Sequence, residues 1–339
     1  MEIKNKKFLK KILNILFVLA ILFLAMYGLL NKLDVDAFLE SLFNINWIYC
    51  LLSIPVIAAS HWMRAVRWKL YIDPIKKNVS TFNLFSAVMV GYAVNNFTPR
   101  GGEIVRPYVL ARREKCSKSS VLATIIVERV IDVVFLLLMF GFVFFASKSL
   151  ILKAFPWLDP KTITLTIAAV FVIVLFLILL LTTQLFDQLL NKILNKFSSK
   201  YTEKISNMWE SFKVGFQTLK TPKHYLINFF YSVLIWFLYT IPLYIMFFAF
   251  DFQTAAHLGI IDAGLLVVVS GIGMSVAPVP GGIGVYHWIT VTAIVNLYPQ
   301  ISNAEALAYA TVSHGINLLI QVILGGIFML RENIRKLDF

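Results

Sequence analysis

Apolar residues fall in long runs interrupted at few places, and the run lengths set the first reading. Crossing about 30 Å of hydrocarbon takes about 20 mostly apolar residues in a helix that rises about 1.5 Å per residue. Six segments meet that length: Ile12–Leu30, Trp47–Val66, Ser119–Ala146, Ile163–Thr182, Tyr225–Phe250 and Glu305–Leu330. Two more, Phe82–Phe97 and Leu258–Ala277, are apolar but run into Pro and Gly. They read as incomplete crossings that re-enter on the side they came from. Over residues 185–220 the pattern changes: Phe186, Leu189, Leu190, Ile193, Leu194 and Phe197 recur at three- and four-residue steps, with Lys192, Lys196 and Lys200 between them. That spacing predicts an amphipathic helix lying in the cytoplasmic membrane surface. It serves either as a linker between two halves or as a recruiting element.

The expected fold class is therefore an all-α polytopic membrane protein, with about six full transmembrane helices and two broken re-entrant helical segments. One integral membrane domain covers 1–339, with halves at about 46–183 and 224–331 joined by the interfacial helix 185–220. Residues 1–30 also have the Lys-then-apolar order of a signal peptide. The apolar run is long and no small-x-small cleavage site follows, so an uncleaved first span is expected.

Composition agrees: 59% of residues are hydrophobic and 14% charged, with mean hydropathy +0.79. A soluble chain of this length needs more polar surface. The net charge of +13 suggests nucleic acid in a soluble protein, but here the positive charges sort by side. Segments 1–11, 64–77, 100–118, 192–223 and 331–336 hold 26 of the 31 Lys and Arg. Placing these in the cytoplasm puts both termini there, in an inner or plasma membrane. The two cysteines, Cys50 and Cys116, give neither a disulfide framework nor metal spacing.

A repeat is visible. At an offset of 180, Gly91, Gly101 and Gly102 fall on Gly271, Gly281 and Gly282. At an offset of 185, Arg129 falls on His314 and Asp132 on Asn317, so a loop insertion separates the blocks. One broken segment dips in from the cytoplasm and the other from outside. That is an inverted-topology repeat with discontinuous helices, an arrangement that places a transport site near the midplane.

Three polar clusters interrupt the apolar pattern. In Asn95–Glu103, Pro99, Gly101 and Gly102 stop a helix and free backbone N–H groups, while Arg100 and Arg106 can grip a phosphate in bidentate fashion. Glu103 then holds one of those arginines in the empty site. Glu128, Arg129 and Asp132 sit inside a span, where each isolated charge costs roughly 2.5–3.5 kcal/mol. Arg129 and Asp132 can pair at i,i+3, whereas Glu128 and Asp132 at i,i+4 repel unless a cation lies between them. The cluster reads as a transport pathway or as a structural salt-bridge network. The third cluster is Pro278, Pro280, Gly281, Gly282 and Gly284 with His287; His314, Asn317 and Gln321 share one face of the last span. Either histidine serves proton coupling or simple packing. Snorkelling at a cytoplasmic helix end accounts for His61, Arg64 and Arg67.

No H-E-x-x-H, C-x-x-C, P-loop or complete G-x-G-x-x-G occurs. No catalytic residue, cofactor or metal site is expected.

Thr98-Pro99-Arg100-Gly101-Gly102-Glu103-x-x-Arg106, then Glu128-Arg129-x-x-Asp132, then Pro280-Gly281-Gly282-Ile283-Gly284 resemble the signature of the flippase-like family, that of the lysylphosphatidylglycerol synthase transmembrane region. The resemblance covers about residues 10–330. His287 departs from it, standing where an acidic residue is expected. In that family the membrane unit translocates a lipid that an attached transferase domain has aminoacylated. Only the membrane unit is resembled, so no lysyltransferase activity is implied.

Together these readings imply movement of a phosphate-bearing or anionic lipid, aminoacylated and polyprenyl-linked lipids included, between leaflets. Arg100, Arg106 and Arg129 contact the headgroup; Glu103, Glu128, Asp132, His287, His314 and Asn317 balance charge or gate. Membrane lipids are the expected partners, with a homodimer or a lipid-modifying enzyme as protein partners and no nucleic acid. Three alternatives stay open: a membrane-embedded enzyme or accessory factor of lipid synthesis, a scaffold acting through helix 185–220, and a secondary transporter for a small anion.

Overall fold

The computed structural model describes residues 33–154, 159–182, 221–277 and 279–333, with isolated positions at 20, 23–25, 27, 28, 31, 156, 188 and 206. Most of the expected first span, the amphipathic helix 185–220, Pro278 and the tail beyond Asn333 lie outside the described residues.

Every described element is helical. In chain order these are α1 (Val35–Phe43), α2 (Trp47–Ile72), α3 (Thr81–Phe97), α4 (Gly102–Glu114), α5 (Lys118–Ala146), α6 (Lys148–Ala154) and α7 (Pro160–Thr182). They continue as α8 (Pro222–Ala249), α9 (Phe252–Ala256), α10 (Ile260–Val276), a 3-10 turn (Pro280–Gly282), α11 (Val285–Leu297) and α12 (Asn303–Arg331). Polar side chains start several of them. Asn46 and Thr221 cap α2 and α8, and Ser302 with Glu305 closes a capping box on α12. By length and composition α2, α8 and α12 are long and apolar enough to cross a membrane. The expected spans Ser119–Ala146 and Ile163–Thr182 correspond to α5, 29 residues, and α7, 23 residues.

The segments expected to break do so, and each folds into a hairpin of two short helices. At the closed end of the first, Asn95 Oδ1 accepts a hydrogen bond from the Gly102 N–H at 2.8 Å. At its open end Asn83 Nδ2 donates to Glu114 Oε1 at 2.7 Å, so α3 and α4 run antiparallel. Their backbones touch near the break: a Cβ on Gly102 would fall on the Gly91 carbonyl. That close approach is why glycine stands at both positions. The second hairpin, α10–α11, is tied at its open end by Tyr298 Oη donating to Asp262 Oδ1 at 2.5 Å. Helices of 17 and 13 residues rise only about 25 and 20 Å, less than the hydrocarbon thickness.

The lengths of successive helices match across the chain. α3 and α10 both have 17 residues, α4 and α11 both 13, α5 and α12 both 29, while α2 and α8 have 26 and 28. Their packing matches too: α2 lies on α8, α3 on α12 and α10 on α5. The glycine pairs are not structurally equivalent, however. Gly102 is the first residue of α4, whereas Gly281 and Gly282 form the 3-10 turn ahead of α11. The insertion inferred from the offsets falls partly here, the connection being 98–101 in one hairpin and 277–284 in the other. Left-handed backbone is likewise carried by Arg100 (φ 56°) in the first break and by Gly281, Gly282 and Gly284 in the second.

Two apolar cores result. One is built from α2–α5 (Trp68, Leu84, Leu110, Val127) and receives Phe328 from the far end of α12. The other is built from α8–α12 (Phe247, Leu266, Ile294, Tyr309) and receives Val143 and Phe144 from the far end of α5.

Candidate functional site

The charged residues of α5 meet those of two other helices, α2 and α4. Glu128 is fully buried, and Asp132, one turn on, is largely so. The cation they need lies on α2. Arg64 Nη2 contacts Glu128 Oε1 and lies 3.1 Å from Asp132 Oδ2, bridging the two acids. Arg67 Nη2 lies 2.5 Å from Asp132 Oδ1 and 3.6 Å from Glu128 Oε1. From α4, Arg106 Nη1 reaches Glu128 Oε2 at 2.9 Å. Helix α8 completes the wall: Arg64 donates to Tyr239 Oη at 3.1 Å and Arg67 to Ser232 Oγ at 2.9 Å.

Arg64 and Arg67 correct the sequence reading. They do not snorkel: their side chains are 8% and 0% exposed and inside the protein. Their i,i+3 spacing in an otherwise apolar helix, opposite two acids short of a cation, was the signal available to find them. His61, one turn earlier, is buried too; its ring lies 4.7 Å from that of Tyr92, and neither ring nitrogen has a hydrogen-bond partner.

Arg129 occupies the open side of this cluster, 42% exposed, 3.6 Å from both Glu103 Oε1 and Asp132 Oδ2. Glu103 therefore pairs with Arg129, not with Arg100 or Arg106. Arg106 is buried, its guanidinium 3.7 Å from the centre of the Trp68 ring in a cation–π contact. Arg100 does not join them. It is exposed, and its Nη2 donates to the Ser275 carbonyl at the end of α10, 2.6 Å away.

That bond makes the two helix breaks neighbours. On the other side of the contact, a Cβ placed on Gly281 would lie 3.5 Å from the Asn96 carbonyl at the end of α3. Around the second break His314 Nε2 donates to the Gly281 carbonyl at 2.9 Å, which fixes its proton on that nitrogen. His287 Nδ1 accepts from the Gly284 N–H at 3.3 Å, and the two imidazole rings are 5.2 Å apart. Asn317 accepts from Gln321 at 3.3 Å, one turn further along α12. Of the break residues, Gly101 lies against Thr98, Gly281 against His314 and Gly284 against His287, while Pro99 and Pro280 carry no polar group of their own. Among the described residues no group of three His, Cys, Asp or Glu is placed to hold a metal ion.

A cavity of about 510 Å³ lies away from the charges, between α5, α6, α7, α10 and α11. Its lining is apolar, with Phe140, Phe144, Leu265, Trp288 and Ala293 among the walls.

The model of the lysylphosphatidylglycerol synthase TM region matches residues 11–325. The chain belongs to that family. It is similar to a UPF0104 membrane protein of Methanocaldococcus jannaschii, with 28% identity over 152 residues, 44% of each chain. It also resembles one of Methanothermobacter thermautotrophicus, 31% identical over 107 residues (31% of this chain, 30% of the relative). A third, from Pyrococcus horikoshii, is 29% identical over 133 residues (38% and 37%). These alignments span less than half of each relative. The names of the relatives describe membrane proteins and indicate no catalytic function. The protein is thus a membrane protein, helical in every element of its described residues and built on the TM region of this family.

Proposed function

We propose that the protein moves a phosphate-bearing or anionic lipid from one membrane leaflet to the other. The observation that carries this reading is the buried charge cluster: a membrane-embedded constellation of arginines and carboxylates whose one exposed basic residue is Arg129. Charges at such depth cost roughly 2.5–3.5 kcal/mol each on insertion scales, so a chain that holds them inside an apolar bundle puts them to use.

In this reading six helices span, counting a first span near the N-terminus, and the two hairpins re-enter from opposite sides as halves of an inverted repeat. The equal helix lengths and exchanged packing partners support it. With the Lys- and Arg-rich segments in the cytoplasm, both termini lie there and the cluster opens in the cytoplasmic half of the membrane. The tips of the hairpins close the middle through the Arg100–Ser275 bond and the Gly281–Asn96 contact. Parting them opens a polar route for the headgroup, while the apolar cavity beside α7 takes a hydrocarbon chain. Irregular backbone at that depth is tolerated where it is buried or lines such a route.

Carboxylate catalysis is supported less well, since Glu128 and Asp132 are each held by two or more arginines and neither is free to act as a base. Reconstitution in liposomes with headgroup-labelled lipid tests the proposal. Protein-dependent loss of leaflet asymmetry supports it, and no exchange of any phospholipid offered contradicts it.

A further inference from the structure

Two imidazoles tie down the backbone of the second break. Gly281, Gly282 and Gly284 there take left-handed backbone (φ 60°, 71° and 79°), which glycine enters and leaves at little steric cost. The Gly281 carbonyl is held at 2.9 Å by His314 Nε2 from α12. The N–H of Gly284, the N-cap of α11, is held at 3.3 Å by Nδ1 of His287, the third residue of that helix.

A proton acts differently on the two bonds. His314 donates from Nε2 and still donates when its ring is charged. His287 accepts, so its Nδ1 must keep a bare lone pair and its one proton sits on Nε2. An imidazolium carries N–H on both nitrogens, which at His287 sets a donor against the Gly284 donor. The bond is lost, and a cation stands in the first turn of α11, where the helix dipole disfavours it. A charged His287 and the capped break therefore exclude each other. His287 is the more exposed ring, His314 being only 5% exposed, so charge costs less desolvation at His287.

The surroundings leave His287 without a counter-ion. Its ring lies 5.2 Å from that of His314 and 6.0 Å from that of Tyr286, whose hydroxyl is 3.2 Å from Ser313 Oγ. The single titratable residue of α10, Asp262, is bonded to Tyr298 at the other end of the hairpin. The first break brings Arg100, on the Ser275 carbonyl, and α6 brings Lys148 and Lys153, both exposed. Among the described residues no carboxylate acts on either imidazole.

We propose that His287 is a proton-binding site that latches the second break: neutral, it holds the N-cap of α11, and on taking a proton from water at Nδ1 it lets go. The freed segment is the one whose Gly281 meets Asn96 of the first break, so release loosens the contact between the two hairpin tips. The consequence for lipid movement rests on the function proposed above; the latch itself does not.

Hydrogen exchange of the full chain in detergent, corrected for the intrinsic effect of pH on exchange, reads the latch at the backbone amides of 281–288. Between about pH 7.5 and pH 5, the range over which histidine changes charge, wild-type protection should fall about three- to tenfold, the worth of one hydrogen bond. Amides of α8 should keep theirs. His287→Glu retains an acceptor at the third position of the helix and should stay protected throughout. His287→Phe has no acceptor and should be unprotected at every pH. Wild-type protection that does not change with pH overturns the proposal whatever the variants do. So does a pH response that survives in His287→Phe or vanishes in His314→Gln, since the proton then sits elsewhere. In liposomes lipid exchange should quicken in acid for the wild type and not for His287→Glu. A titrating latch without any lipid exchange removes the translocation reading and leaves this inference standing; exchange without a titrating latch does the reverse.

Discussion

Replacing Arg67 distinguishes a buried ionic network from a snorkelling surface residue. Its side chain has no exposed area, its Nη2 lies 2.5 Å from Asp132 and 3.6 Å from Glu128, and its Nη1 donates to Ser232 at 2.9 Å. Arg67→Ala removes two ion pairs and a hydrogen bond and leaves Asp132 short of its nearest partner. Breaking a buried pair by deleting one member costs about 3–5 kcal/mol, chiefly because the partner stays buried and charged. On the soluble-domain scale of roughly 2–4 °C per kcal/mol, the melting temperature should fall on the order of 10 °C. Intrinsic fluorescence during heating in detergent measures it. Combining Arg67→Ala with Asp132→Asn removes both members of the pair, so the double variant should lose less than the sum of the singles, with coupling of about 0.5–3 kcal/mol. A loss under about 0.5 kcal/mol for Arg67→Ala, the range of ordinary surface changes, refutes the buried network.

Other outcomes follow from the same geometry. Gly102→Ala should sharply reduce the yield of folded protein, read by size-exclusion chromatography, because its Cβ meets the Gly91 carbonyl rather than a movable side chain. At the C-terminal end of α4, burial alone would raise the Glu114 carboxyl, but hydrogen bonds from Asn83 and Lys76 outweigh it and hold it below the usual carboxylate range. Stability from Glu114 is therefore present above the unfolded carboxyl value of about 4.3 and is lost as pH falls through the lowered value. Melting temperatures of wild type and Glu114→Gln should converge in acid and separate near neutral pH. Ala293→Trp, in the wall of the apolar cavity, should slow lipid exchange severalfold while leaving headgroup retention intact, as read in liposomes and by native mass spectrometry.

Much of the architecture was legible from run lengths, because membrane crossing fixes how long an apolar helix must be. The breaks were legible from Pro99-Arg100-Gly101-Gly102 and Pro280-Gly281-Gly282. The exact equivalence of the two was not, since the same glycines serve a close helix contact in one hairpin and a left-handed turn in the other. Glu128 and Asp132 announced a missing cation, but its source was hidden. Ion pairs between helices more than 60 residues apart leave no local pattern, and Arg64 looks like any basic residue near a helix end. Arg100 was placed at the headgroup on local chemistry alone. The structure places its guanidinium on the Ser275 carbonyl at the end of α10, apart from the buried cluster.

The central claim is tested most directly by the rate of transbilayer movement of headgroup-labelled phosphatidylglycerol in proteoliposomes of wild type and Arg129→Ala. The account predicts rapid protein-dependent exchange for wild type, with a loss of about tenfold or more in a variant that melts as wild type does, as expected for removal of one charge-assisted contact. Equal rates in the two proteins, or no exchange by the wild type, would contradict it.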